Sequence, residues 1–258
     1  IDEFDVVKSA EEQERFASFV KQVSDRHLEA RFIFCGIGES VDAIMSAHGS
    51  ADRYFHTVDL KQLPWEARSE ILLDAAQAVG IVVDCNTEIR IARISDGFPH
   101  YVHFIAEKLF WRVYEDEAAR GVVDPKHFEL AMSDAADAMD MKLRGPYEKA
   151  TRKYTNDYDC ILWAAADGHE LQRRSTDIFE SYLRIMKLRE EQPLSRQKFN
   201  TRINSLKKPS HATILTGSRS GWYEFTEKMV RGYVRLRAEN SGIALGADHP
   251  AGNRKPAR

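Results

Sequence analysis

Two hydrophobic periods alternate along the chain and divide it into regions. Between Ala10 and Arg26, the residues Phe16, Phe19, Val20 and Val23 recur on one face of a predicted helix. The run Ile1-Asp2-Glu3-Phe4-Asp5 before it reads as the tail of a strand. Arg31-Phe32-Ile33-Phe34-Cys35-Gly36-Ile37 after it reads as a buried strand running into glycine. Val41–Ala47 suits a short helical stretch and Tyr54–Leu60 a further strand. Strands separated by helices predict an α/β layer over residues 1–62, with the three apolar runs adjacent in one parallel sheet.

From Pro64 the period becomes helical. Ile71, Leu72, Ala75 and Val79 share a face of a helix opened by Pro64 or Trp65 and stopped by Gly80. Asn86 or Thr87 can cap a helix ending near Gly97. Pro99 suits the first turn of another, running to about Asp116. Asp124-Pro125 places a capping carboxylate before a first-turn proline, opening a helix to about Met139. Four successive helices over 63–146 predict an α-helical lid or bundle, with Arg144-Gly145-Pro146 as the linker that ends it.

Residues 147–239 carry a third pattern. Tyr147–Asp167 is helical, with Tyr154, Tyr158, Ile161 and Leu162 available to a core. Ser175 or Thr176 caps a helix to about Leu188, and Ser195 caps Arg196–Lys208. Thr213-Ile214-Leu215 and Trp222-Tyr223-Glu224-Phe225 flank the glycine-bearing turn 216–221, which predicts a β-hairpin. A closing helix spans about Glu227–Ala238. Three helices, a hairpin and a closing helix describe a winged-helix domain. The Gly-, Pro- and charge-rich segment 240–258 is expected to be a disordered tail.

Charge sharpens this division. The formal net charge is −3, yet residues 1–146 hold 16 Lys and Arg against 27 Asp and Glu, and residues 147–258 hold 21 against 13. A basic part beside an acidic one suits a polyanionic partner for the former. Chance solvation of two domains is the plainer alternative. No apolar run reaches the roughly 20 residues that span a bilayer, and Ile1–Val7 lacks the regions of a signal peptide. Cys35, Cys85 and Cys160 are odd in number and widely spaced, which favours a reducing, cytoplasmic setting over a disulfide framework or zinc site.

The candidate chemistry begins at Asp2 and Glu3. An ATPase needs one carboxylate for the magnesium shell and one to polarise the attacking water, and adjacent acids leaving a strand can present both. Ile1-Asp2-Glu3-Phe4-Asp5 resembles a Walker B motif of AAA+ and related P-loop ATPases, and Arg31–Gly38 resembles the following sensor-1 strand. His48-Gly49-Ser50-Ala51-Asp52-Arg53-Tyr54-Phe55 resembles the segment carrying an arginine finger. Ser95-Asp96-Gly97-Phe98-Pro99-His100 resembles the sensor-2 turn before a lid helix. A winged helix after the lid is the layout of the origin-recognition and replication-initiator branch, whose bacterial relatives this chain resembles most. The resemblance covers about residues 1–237.

That resemblance implies a P-loop ATPase core continued by a helical lid and winged helix, with ATP and Mg2+ as cofactors. It gives Asp2 the magnesium role and Glu3 the water-activating role, and it directs Arg53 at a γ-phosphate across a homo-oligomer formed through the ATPase core. Arg53 can equally pair with Asp52 or a helix end. The sensor-1 polar residue falls at Ser40 or Glu39, with Ser40 preferred. His100, or its neighbour, stands where the family has a sensor-2 arginine, and can also be read as an ordinary helix-start histidine. The sequence contains no Gly-x-x-x-x-Gly-Lys-Ser/Thr phosphate loop, so ATP turnover is expected only if such a loop lies upstream of Ile1.

The basic region points to double-stranded DNA independently. In Arg196–Lys208, Phe199, Ile203 and Leu206 have core spacing. Arg196, Lys198, Arg202, Lys207 and Lys208 remain for phosphates, and Gln197, Asn200 and Asn204 for base edges. Arg219, between Ser218 and Ser220, sits at the hairpin tip. Trp222, Tyr223 and Phe225 suit the core. The leading reading is an ATPase whose nucleotide state controls DNA binding. The alternatives are a signal-transduction or defence ATPase whose winged helix is a packing module, and a nucleotide-independent DNA-binding protein.

Overall fold

A computed structural model of the chain describes residues 1–7, 9–36, 56, 58, 60–152, 155, 157–217 and 221–246. It divides into two compact units, residues 1–61 and 62–258. In the first, Ser9 caps α1 (Ala10–Asp25) by accepting from the Glu12 amide, and Glu11 and Glu12 lie in its first turn, where negative charge favours the helix dipole. Ala17 and Val23 are buried. Phe4 packs edge-on against Phe16 and Phe34, with ring centroids 5.1 and 5.0 Å apart. Phe19, expected in the core, is 47% exposed and meets only the rim of this cluster through Phe32.

Of the expected parallel sheet, the described residues show one short pairing. The Ile1 amino group donates to Ile33 O (2.8 Å), Cys35 N to Ile1 O (2.9 Å), and Phe4 N to Cys35 O (2.9 Å), so the two segments run in the same direction. Neither becomes a regular strand, because Glu3 adopts a left-handed backbone (φ 51°) and Phe4–Val6 closes into a 3-10 turn. Val41–Ala47 and most of Tyr54–Leu60 lie outside the described residues.

Among the described residues, the second unit is helical, with one small sheet. Its helices are α2 (Trp65–Ala78), α3 (Cys85–Ile94), α4 (Pro99–Glu115), α5 (Pro125–Ala138), α6 (Met141–Thr151), α7 (Asp157–Ala166), α8 (Ser175–Leu188), α9 (Arg196–Ser205) and α10 (Val230–Asn240). Strand β1 (Arg173–Arg174) precedes α8, and β2 (Leu215–Thr216) and β3 (Trp222–Phe225) follow α9. The order is β1-β3-β2, antiparallel throughout, with Arg174 opposite Trp222 and Leu215 opposite Phe225. No helix among the described residues is long and apolar enough to cross a membrane.

Several boundaries follow from capping chemistry. Asp84, rather than Asn86 or Thr87, caps α3 by accepting from both of their amides. Asp124 and His127 form a reciprocal capping box on α5. Tyr147–Asp167 is not continuous: α6 ends at Thr151 and α7 begins at Asp157. The linker expected at Arg144-Gly145-Pro146 lies inside α6. Proline there forfeits one backbone bond. The helix nevertheless persists, because Asp140 caps it, Arg144 pairs with Glu148, and Leu143, Tyr147 and Ala150 are buried.

One apolar core runs from Leu72 to Leu245, so the helices before residue 147 and the sheet-bearing region after it share an interior. Helix α10 binds them, packing against α3, α5, α6 and α7. Gly232 allows its close approach to α4, since a Cβ there would fall within the Tyr101 ring, whose hydroxyl donates to Met229 O at 2.7 Å. The tail expected after Asn240 begins ordered: Ile243 and Leu245 are buried, and Gly246 N donates to Asp167 Oδ1 at 3.0 Å. Burial raises the Asp167 carboxyl, but Arg184, Ser181 and the Gly246 amide outweigh it and hold the group below the usual carboxylate range. The three cysteines are unpaired, and burial lifts the Cys160 thiol to about 11.

Buried charge joins these helices at Asp96, which is 4% exposed in the turn between α3 and α4. Arg231 Nη1 lies 3.1 Å from its Oδ2 and Arg235 Nη2 3.2 Å from its Oδ1. Both guanidiniums also donate to Gly168 O, just past the end of α7. Arg235 reaches Ala166 O (2.9 Å) and Arg93 O (2.8 Å) as well. Arg68 donates to Leu63 O and Ala92 O at 2.8 and 3.1 Å. Gly97, at φ 82°, completes the turn, because a Cβ there would press on Gln62 and Arg68. Asp96→Asn keeps the shape and the left-handed backbone but leaves two buried cations without their anion. The expected loss is about 3–5 kcal/mol in urea unfolding followed by circular dichroism; a change below about 1 kcal/mol would show that the arginines are satisfied by carbonyls alone.

Candidate nucleic-acid interface

Helix α9 is held by one face. Ser195 Oγ accepts from Lys198 N, and Phe199, Ile203 and Leu206 are completely buried, as their spacing predicts. The Phe199 ring sits 4.9 Å from Phe179 and 5.2 Å from Tyr182, both on α8. The opposite face carries Gln197, Lys198, Thr201 and Asn204, all exposed, continued by exposed Lys207 and Lys208.

The arginines expected to lead this surface lie on its flanks. At 3.6 residues per turn, Arg196 and Arg202 project about 60° to either side of Phe199. Arg196 is half-buried over the Phe179 and Phe199 rings, at 4.6 and 5.6 Å, and donates to Ser175 Oγ at 3.0 Å. Arg202 lies over the Tyr158 ring, donates to its hydroxyl at 3.2 Å and stands 3.9 Å from Asp157. The Tyr158 bond raises its already high pKa. These two side chains fasten α9 to α8 and α7. The angular projection of 196–208 carries that signal, which counting basic residues missed.

The amides differ as well. Asn200 is half-buried, and its Oδ1 is enclosed without a hydrogen-bond partner among the described residues. Asn204 Nδ2 donates to Asn200 O (2.9 Å) while its Oδ1 accepts from the Tyr223 hydroxyl (3.0 Å). Lys207 Nζ lies 5.3 Å from the centre of the Tyr223 ring. Tyr223 and Phe225 are buried, whereas Trp222 is half-buried beneath the Arg174 guanidinium at 5.0 Å. Burial, with Lys208 and Arg202 nearby, keeps His211 below the usual histidine range, so it adds no cation at neutral pH. Arg219 lies outside the described residues.

The residues proposed for nucleotide chemistry are less well defined. Asp2 and Glu3 are exposed, and Asp2 Oδ1 accepts from Glu3 N at 2.9 Å. His100 is exposed in the first turn of α4 and stacks on Phe104, with centroids 5.8 Å apart. Ser40 and Arg53 lie outside the described residues. No group of three or more His, Cys, Asp or Glu side chains able to hold a metal occurs among the described residues.

No family model matches the chain, and no curated protein does. Among solved structures, it is similar to the crystal structure of Cdc6p from Pyrobaculum aerophilum, with 14% sequence identity and a TM-score of 0.36. The likeness covers 90% of this chain and 64% of that one, so the chain spans less than two thirds of that protein's length. A likeness of that size carries neither fold nor function across.

Proposed function

We propose that residues 157–240 form a winged helix that binds double-stranded DNA through the outer face of α9, following the helical lid of an AAA+-type ATPase. The observation that carries the DNA reading is the division of α9 into a wholly buried apolar face and an exposed face of amides, a hydroxyl and lysines. The order of helices and strands from α7 to β3 and the antiparallel β1-β3-β2 sheet support the winged-helix reading. Helix α10 packs on the helices before residue 147 and turns Arg231 and Arg235 to Asp96 there. The cations of α9 do not follow it: Arg196 and Arg202 engage Ser175, Tyr158 and Asp157, on α8 and α7.

The ATPase reading rests on the ordered motifs of the sequence and on the parallel pairing of Ile1–Phe4 with Ile33–Cys35. On this reading Asp2, Glu3, Ser40, Arg53 and His100 belong to the nucleotide-facing part of an ATPase core through which copies assemble. The residues described do not themselves fit ATP and Mg2+. They offer two solvent-exposed carboxylates, one already bonded to its neighbour's amide, and no phosphate cradle. No hydrolytic step is therefore assigned to this chain. Titration calorimetry of residues 1–258 with ATP and Mg2+ is expected to give no binding in the micromolar range, and micromolar affinity would contradict that assignment.

Binding to duplex DNA is expected to weaken steeply with salt, because each phosphate contact releases condensed counterions. Replacing Lys198, Lys207 and Lys208 together with alanine is expected to flatten the slope of log affinity against log salt by about 2.7, at about 0.9 per contact. Replacing Arg196 and Arg202 should instead lower the unfolding midpoint. Gel-shift titrations at several salt concentrations read the first effect. An unchanged slope in the triple-lysine variant would refute the assigned surface.

A further inference from the structure

The five neutral polar side chains of α9 beyond its buried apolar face are separated by their bonding. Thr201 Oγ1 donates to Gln197 O at 3.0 Å, and Ser205 Oγ donates to Thr201 O at 2.9 Å, so both hydroxyl protons are taken up along the helix. Asn204 is engaged at both ends of its carboxamide, by Asn200 O and the Tyr223 hydroxyl. Asn200, a second amide of this helix, turns its oxygen inward. Gln197 is exposed in the first turn, its backbone oxygen accepts from Thr201, and its side chain has no partner among the described residues.

A side-chain amide with both its oxygen and its NH2 available can make two parallel hydrogen bonds to the N7 acceptor and N6 donor of adenine in the major groove. A position in the first turn of a groove-entering helix suits such a contact, since those residues come closest to the base edges. Arg196 and Arg202, the arginines of this helix suited to guanine, are held against Phe179 and Tyr158. On this geometry, and resting on the DNA-binding reading, we infer that Gln197 is the base-reading residue of α9 and selects adenine at one position of the bound duplex. The lysines at 198, 207 and 208 supply phosphate contacts that carry no sequence information.

Selection of bound duplexes from a randomised library, with the full chain and its Gln197→Ala and Gln197→Arg variants, tests this. The unsubstituted chain should enrich adenine at one position. Gln197→Ala should lose that preference and bind the selected duplex about 5- to 150-fold more weakly, with the salt slope unchanged. Gln197→Arg should move the preference to guanine at the same position. Gln197 is exposed and its side chain has no partner among the described residues, so both variants should unfold at the parent's midpoint. Enrichment that Gln197→Ala leaves intact would overturn the assignment, as would binding by the parent with no base preference, which leaves DNA binding itself standing. Failure of the parent to retain any duplex would overturn both readings.

Discussion

The second unit turns on one of its buried carboxylates. Asp96 faces Arg231 and Arg235, and Arg68 shares its surroundings, so cations outnumber the anion in a region closed to water. Such an excess is tolerable because the guanidiniums also donate to carbonyls that end helices. Ala92 and Arg93 lie in the last turn of α3, and Ala166 and Gly168 at and beyond the end of α7. Helix C-termini expose partial negative charge that favours cations. One carboxylate and two helix ends therefore act together as the counter-charge, and α10 delivers the arginines that read them.

This arrangement reaches the candidate interface through α7. Its end is fixed by Arg231 and Arg235, and Arg173 of β1 donates to Ala164 O at 2.6 Å and to Ser181 Oγ at 3.1 Å, tying α7 to the sheet and α8. Near its beginning α7 offers Tyr158 to Arg202 of α9. Helix α9 thus rests on two helices whose own positions are set by buried and half-buried guanidiniums. What it leaves outside is small, polar and lysine-bearing.

Much of the second unit was legible because local chemistry and tertiary packing agree there. Pro99, Asp124-Pro125 and Ser195 start helices where their capping chemistry says, and Phe199, Ile203 and Leu206 are buried as their period requires. The Gly145-Pro146 pair misled because burial of Leu143 and Tyr147 outweighs a local propensity to break. Asp96 read as part of a motif turn, since nothing in its neighbours announces partners 135 and 139 residues away. Arg196 and Arg202 read as free cations because a charge count does not register which aromatic ring lies beneath a guanidinium. Asp2, Glu3 and His100 remain proposals carried by sequence resemblance, while Ser40, Arg53 and Arg219 lie outside the described residues.

The surface assigned to α9 can be mapped directly by lysine acetylation, with each site quantified by mass spectrometry in the presence and absence of saturating duplex DNA. Lys198, Lys207 and Lys208 are exposed on or beside α9, whereas Lys126, Lys142 and Lys149 are exposed on α5 and α6. The account predicts that DNA slows modification of the first three severalfold and leaves the second three unchanged. Equal reactivity at Lys198, Lys207 and Lys208 with and without bound DNA, or protection confined to α5 and α6, would contradict it.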